Sequence, residues 1–339
     1  MPFLANYTIK RVIVKEIYAT YSSERLDIFL SRVLDISRNQ IANLIKNANV
    51  KVNDILVLKP SFKIEENDKI NINFPQKQDI ISDIKVDFDI EVIYEDDDLL
   101  VINKPPNLVV HSAPSVKEHT LVDWLVQRKT LLSNINGENR PGIVHRLDKG
   151  TSGVMVVAKN NIAHEKLSLQ LRDKTMGRIY LALCDYALKE NCIVEKPIGR
   201  NPSNRLKKGI VENGRYAKSA FANVFSNGNI NLIAAKLFTG RTHQIRVHLS
   251  SISRHILGDN LYGFKSDNDK INRVMLHAFE IYFIHPSTNL PMSFCASLYS
   301  DFLDLIKIDK EFLDENLQIP NIRNLFCDIS KWVCHKITK

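Results

Sequence analysis

Two spacings of apolar residues divide the chain. Between residues 24 and 74 the positions Leu26, Phe29, Leu30, Val33 and Leu34 recur three and four apart, which predicts one face of a helix. Ile41, Leu44 and Ile45 continue the pattern in a second helix, with Ser37 placed to cap its first turn. V-K-V-N at 50–53 then switches to alternation and predicts a strand. From 88 to 306 short apolar runs dominate: L-L-V-I-N at 99–103, V-M-V-V-A at 154–158, I-Y-L-A-L at 179–183 and I-N-L-I-A-A at 230–235. They keep no regular strand, helix, strand beat. The prediction is therefore a mixed, largely antiparallel α+β domain rather than a doubly wound parallel sheet.

The resulting plan is a small α/β domain at 1–75 with its core at 24–74, an acidic linker at 76–87, a large domain at 88–306 and a C-terminal extension at 307–339. The extension reads as an appended tail of unassigned role, with a helix over about 322–333. At 96–98 the D-D-D run offers a metal site or an exposed turn before the next strand, and the turn is the commoner use of such a run.

Composition narrows the function classes. With 339 residues, 44% hydrophobic and 25% charged, the chain is excluded from the disordered and collagen-like classes. The five cysteines show no C-x-x-C spacing, so a disulfide framework or zinc site is not indicated and reduced thiols in the cytoplasm are expected. No apolar run reaches membrane-spanning length, and the first twenty residues lack the apolar core of a signal peptide.

The net charge of +8 points to a polyanionic partner. Residues 171–218 hold 11 Lys and Arg against 5 acidic residues, and R-N-P-S-N-R-L-K-K at 200–208 is the densest run. Residues 1–75 hold 11 against 8. Arg25, Arg38, Lys46, Lys51, Arg200, Arg205, Lys207 and Lys208 are therefore candidate phosphate contacts, against the plainer reading of solvated surface charge.

Four segments carry chemistry. R-P-G-I-V-H-R-L-D-K-G-T-S-G at 140–153 packs His145, Arg146, Asp148 and Lys149 into a loop ahead of an apolar strand, where a merely structural turn needs no such charges. L-F-T-G-R-T-H-Q-I-R-V-H-L at 237–249 alternates, so a strand would point Gln244, Arg246 and His248 to one side and set His243 and His248 on opposite sides. N-K-P-P-N-L-V-V-H-S at 103–112 places two prolines and His111 after a buried strand, and G-R-I-Y-L-A at 177–182 sets Tyr180 beside Arg178. Each has a structural alternative: a salt-bridged turn for Asp148, a surface charge for Arg246, a core tyrosine for Tyr180.

Together these segments, with G-D-N-L-Y-G at 258–263 and L-H-A-F-E-I-Y-F-I-H-P at 276–286, resemble the RluA family of pseudouridine synthases, and within it the large-subunit rRNA enzymes. The stretch S-E-R-L-D-I-F-L-S-R-V-L, with S-R-N-Q-I-A-N-L-I and V-K-V-N-D, is similar to the S4-type RNA-binding domain. It departs from that pattern at Asn49 and Asp54, where glycines are common and where both residue types tolerate a left-handed backbone. Gly150 stands where the family often has Asp.

The resemblance implies isomerisation of uridine to pseudouridine in RNA, expected in 23S rRNA or a pre-ribosomal particle, by a monomer that needs no cofactor, no metal and no membrane. It implies Asp148 as the essential carboxylate and Arg246 as its partner. Tyr180 would stack on the uracil, its phenol helping with the C5 proton, and Arg146 would fill the space of the extruded base. Two other readings stay open at this point: an RNA-binding or ribosome-assembly protein with a silent catalytic fold, and a synthase acting on tRNA.

Overall fold

The structure, a computed structural model, describes residues 13–34, 38–74, 85–112, 116–135, 140–204, 206–226, 228, 230–263, 271–306 and 315–337. The chain separates into two compact units, Met1–Ser82 and Asp83–Lys339. Most of the acidic stretch expected to link them lies outside the described residues.

In the first unit, helices Leu26–Leu34 and Arg38–Lys46 pack Leu26, Phe29, Leu30, Ile41 and Ile45 against Val50, Val52, Ile70 and Ile72 of a sheet. The sheet runs in the order Ile13–Tyr18, Lys69–Phe74, Val50–Val52, Ile55–Leu56, with every pairing antiparallel. Val33, assigned to the buried face by its spacing, is 45% exposed. Ser37 lies outside the described residues. The left-handed position expected at Asn49 falls instead on Ala48, φ 61°. Asn53 and Asp54, φ 49° and 63°, form the two-residue turn between paired strands, a turn that needs positive φ at both positions.

The second unit is built on a ten-stranded sheet. Its order is Val333–Lys336, Cys192–Glu195, Lys218–Ser226, Asn231–Leu237, Gly177–Cys184, Leu276–Ile284, Ser152–Ala158, Leu99–Lys104, Glu91–Glu95, with Pro291–Cys295 also on Leu276–Ile284. Two pairings are parallel, Cys192–Glu195 with Val333–Lys336 and Leu276–Ile284 with Ser152–Ala158, and the others are antiparallel. The strands predicted at 99–103, 154–158, 179–183 and 230–235 are the central ones. They read as continuous apolar runs because they are covered on both faces: every residue of Leu99–Lys104 and Ser152–Ala158 is buried.

Two expectations are corrected. The segment 244–250 is a helix, Gln244–Ser250, and not a strand. Its residues from Gln244 to Leu249 are all buried, so its polar side chains face protein on every side and the alternation marks no outward face. The helix expected over about 322–333 in the extension is instead three short elements. Ile319–Asn324 is helical and followed by a short 3-10 turn at Ile329–Lys331, while Val333–Lys336 adds a strand to the edge of the main sheet. Ile322 and Phe326 are buried in the main core. A four-residue edge strand pairing across some 140 residues leaves no periodic signal to read.

Candidate active site

The loop before Ser152–Ala158 is held on all sides, and that fixes where Asp148 sits. Leu147 is buried in the core. The amide of Val156 donates to His145 Nε2 at 3.1 Å. The Thr151 amide donates to the Asp148 carbonyl at 3.1 Å. Ser152 Oγ meets His277 Nδ1 at 2.9 Å, and Arg273, itself forked on Asp301 at 2.5 and 2.7 Å, reaches Ser152 Oγ at 3.2 Å.

Gly153 lets the strand pass this close to its neighbour. Its φ is +113°, and a Cβ there would stand 2.2 Å from the Ala278 carbonyl oxygen. Lys104, fully buried, places its ammonium on the carbonyls of Pro105 and Leu108, 2.7 and 2.9 Å, and near that of Lys149, 3.4 Å. Burial pulls Lys104 down to about 7, while Asp148 pulls the other way and Arg273 adds to the fall.

Opposite the loop stands the Gln244–Ser250 helix. Gln244 bonds Thr239, Arg241, Lys218 and Ser219, and His248 bonds Ser219 Oγ and the Lys196 carbonyl at 3.0 Å each. These bonds clamp the helix to the Lys218–Ser226 strand. Arg246, 8% exposed, then points its guanidinium between two carboxylates. Nε and Nη2 donate to Asp259 at 2.7 Å each, and Nη1 donates to Asp148 Oδ2 at 3.3 Å. Asp259 is in turn held by the amides of Leu261 and Tyr262 at 3.1 Å each. Burial works against the Arg246 charge, but Asp259 and then Asp148 hold its pKa above the ordinary arginine value.

A cavity of about 460 Å³ opens beside this pair. Asp148 is the one carboxylate among its described lining residues, with Arg146, Arg172, Lys174, Arg178, Arg241 and Arg246 around it. Tyr180, on the central Gly177–Cys184 strand, lines the same cavity and is 6% exposed. Burial raises its phenol, Arg178 opposes and Asp148 reinforces, so the hydroxyl is neutral at physiological pH. Arg146 is exposed at the rim, its Nη1 3.2 Å from His111 Nε2. Burial and then Arg146 push His111 down to about 4. Burial, with Arg178 adding to it, pushes His145 to about 3.

Asp148, Arg246, Tyr180 and Arg146 thus share one pocket although they are up to a hundred residues apart. Comparison with known proteins agrees with the geometry. Residues 98–251 match the RNA pseudouridylate synthase family and residues 24–70 match the S4 domain. An uncharacterized RNA pseudouridine synthase of Helicobacter pylori (strain ATCC 700392 / 26695) is 49% identical over 92% of this chain and 98% of its own.

The chain belongs to the RNA pseudouridine synthases.

Another member, ribosomal large subunit pseudouridine synthase D of Zymomonas mobilis, is 37% identical over 84% of this chain and 93% of its own. Human RNA pseudouridylate synthase domain containing 1 shares the fold, with a TM-score of 0.53 at 24% identity, covering 68% of this chain and 95% of that one. This RNA pseudouridine synthase isomerises uridine to pseudouridine in RNA and pairs its catalytic unit with an S4 domain. Among the described residues no helix is long and apolar enough to cross a membrane.

The remaining candidates fall elsewhere. Arg200 and Lys208 are cross-strand partners in a two-stranded ribbon, Ile198–Arg200 with Lys208–Ile210, and Lys207 closes its turn through a bond from the Asn201 amide. Arg205 lies outside the described residues. Lys46 and Lys51 are exposed on the S4 unit. Arg25 and Arg38 are engaged with protein: both bond the buried Asp27, at 2.9 and 2.8 Å. The 96–98 run caps a turn, since Asp96 accepts from the amides of Asp98 and Leu99, from Tyr94 and from His285 Nε2. His285 Nδ1 accepts from the amides of Ser287 and Thr288, so the proton sits on Nε2, which leaves that nitrogen without a lone pair for a metal.

Sequence reasoning missed Lys104, Asp259, Tyr262 and His243 as members of the site. Their signals were present: a lysine closing an apolar strand, and ionisable residues in the G-D-N-L-Y-G and T-G-R-T-H segments.

Asp27 gives the S4 unit an acid-sensitive brace. Burial alone would raise its carboxyl, but the bonds from Arg25 and Arg38 outweigh that and hold it below the usual range. Its contribution is complete above the unfolded carboxyl pKa of about 3.9 and is lost as pH falls through the lower folded value. Urea denaturation of the S4 unit, followed by its own NMR signals at pH 6 and pH 3, should show a large loss in the wild type and a smaller one in Asp27→Asn. Equal losses would contradict the brace.

Proposed function

We propose that Asp148 is the carboxylate that begins the isomerisation, that Arg246 aims it, that Tyr180 supplies the surface against which the uracil turns, and that Arg146 enters the space the base vacates. The observation that carries this reading is that, among the described residues, the cavity is lined by a single carboxylate and six arginine and lysine side chains. In this reading residues 88–306 do the chemistry, residues 1–75 grip RNA, and 76–87 join them.

The reaction breaks the N1–C1′ bond of uridine, turns the uracil and closes C5 onto C1′, while a proton leaves C5 and one is taken up at N1. Asp148 can start it by adding to C1′ or by removing a ribose proton, and both routes need an ionised, oriented carboxylate. Arg246 Nη1, 3.3 Å from Asp148 Oδ2, supplies the orientation. A uracil inside folded RNA is stacked, so it must first be extruded, at a cost of a few kcal/mol. The guanidinium of Arg146 can stack on the bases left behind while meeting a phosphate. Tyr180 meets the base as a neutral ring, and a neutral phenol is a poor acceptor for the C5 proton, so its role is stacking.

Large-subunit rRNA is the substrate we assign. The name of the Zymomonas mobilis relative and the S4 domain support it. The 200–208 ribbon, with Arg200 and Lys208 as cross-strand partners, supplies charge that suits an RNA backbone.

Release of tritium from large-subunit rRNA labelled at uracil C5 tests the catalytic assignment. Asp148→Asn should release none while binding the RNA within about twofold of the wild type, since one rim-distant carboxylate adds no phosphate contact. Tritium release by that variant would refute the role of Asp148. The ribbon is tested separately: each phosphate neutralised makes log affinity fall by about 0.7 to 0.9 per log unit of salt. Replacing Arg200, Lys207 and Lys208 together with Gln should flatten the slope by about 2, and an unchanged slope would remove the ribbon from the interface.

A further inference from the structure

A hydrogen-bond chain of fixed polarity leads from the basic ribbon to Asp148. The amide N–H of Lys208 donates to Tyr262 Oη at 2.6 Å. A hydroxyl whose oxygen is accepting in this way turns its own proton to the next acceptor, and His243 Nδ1 stands 2.8 Å off. A ring nitrogen that accepts carries no proton, so in the neutral imidazole the proton is on Nε2. His243 Nε2 is 3.8 Å from Asp148 Oδ2. In the opposite tautomer the Tyr262 oxygen would accept from both the Lys208 amide and the Nδ1–H, and its own proton would have no hydrogen-bond acceptor among the described residues.

The surroundings hold these groups in place. His243 has φ 59°, a left-handed backbone at the start of the helix that histidine adopts more readily than most residues. The Tyr262 ring lies 4.9 Å from the Arg246 guanidinium, so one side chain supports both partners of Asp148. Ile198 and Ile210 of the ribbon pack with Val247 of the Arg246 helix and with Tyr262 in a small apolar cluster of their own. The ribbon and the Gln244–Ser250 helix are thus packed together through this cluster. Burial, the largest influence on the His243 ring, favours its neutral form.

We infer that Tyr262 and His243 are positioning residues: the Lys208 amide orients the Tyr262 hydroxyl, Tyr262 selects the His243 tautomer, and the Nε2–H of His243 closes on Asp148 when RNA seats on the ribbon. The inference rests on the assignment of Asp148 as the reacting carboxylate. It gives that carboxylate two donors, Arg246 and His243, from opposite ends of one helical turn, and makes its alignment depend on the segment that holds the RNA backbone.

The full-length chain carrying ¹⁵N-labelled histidine tests it, with the His243 signal identified by its loss in His243→Gln. At pH 7 the ring should be neutral with its proton on Nε2, and Tyr262→Phe should shift it toward a mixture of tautomers. Phe keeps the ring beneath Arg246 and removes only the hydroxyl. In tritium release Tyr262→Phe should lower kcat roughly tenfold, the equivalent of one ordinary hydrogen bond, with KM for the RNA within about twofold.

A proton on Nδ1, a doubly protonated ring, or a Tyr262→Phe enzyme turning over like the wild type would overturn the chain. An active Asp148→Asn enzyme would instead overturn the assignment beneath it, whichever tautomer His243 shows. An inactive Asp148→Asn with a fully active Tyr262→Phe would overturn the chain alone.

Discussion

One guanidinium shared by two carboxylates organises the catalytic unit. Arg246 gives two short bonds to Asp259 and one longer bond to Asp148. A buried ion group of this kind is weak evidence of stability, because desolvation consumes much of the attraction between its members. Its value lies in direction. Asp259, fastened by two backbone amides, fixes the plane of the fork, and that plane brings one Nη1–H to Asp148. The three charges sum to minus one, and the negative charge is left on the carboxylate that faces the cavity. Arg146, Arg172, Lys174, Arg178 and Arg241 line the same cavity around it.

The scaffold explains why so many residues far apart in sequence are needed for one pair. Asp148 hangs from a loop ahead of a strand buried on both faces, and the Arg246 helix is a short one with no solvent face. Neither segment can place a side chain by itself. The loop depends on Lys104, Arg273 and His277, and the helix depends on Gln244 and His248. Gly153 is the point of closest approach between the strands that carry these groups, and no side chain fits there.

The local chemistry was legible in the sequence because it is written in residue types that a purely structural loop does not require. H-R-L-D-K-G-T-S-G and G-R-T-H-Q-I-R name Asp148, Arg146 and Arg246, and G-R-I-Y names Tyr180. The central strands were legible as apolar runs. Other features depend on pairing across distance, which periodicity does not encode. The Gln244–Ser250 helix imitates a strand because it is buried all round, and the edge strand Val333–Lys336 joins the sheet through a partner far back in the chain. That Arg25 and Arg38 share the buried Asp27 is likewise visible only in the fold. Lys104 and Asp259 were visible as residues and silent as members of the site, since nothing in the sequence says which charges meet.

Arg246→Lys isolates the fork by keeping the charge and removing the planar donors. The decisive measurement is the single-turnover rate of uridine conversion in saturating large-subunit rRNA. A lysine has no planar fork to hold Asp259 at two points and Asp148 at a third, so the rate should fall by about a hundredfold or more while RNA affinity stays within about twofold. A rate within a few-fold of the wild type would show that charge alone suffices and would contradict the account.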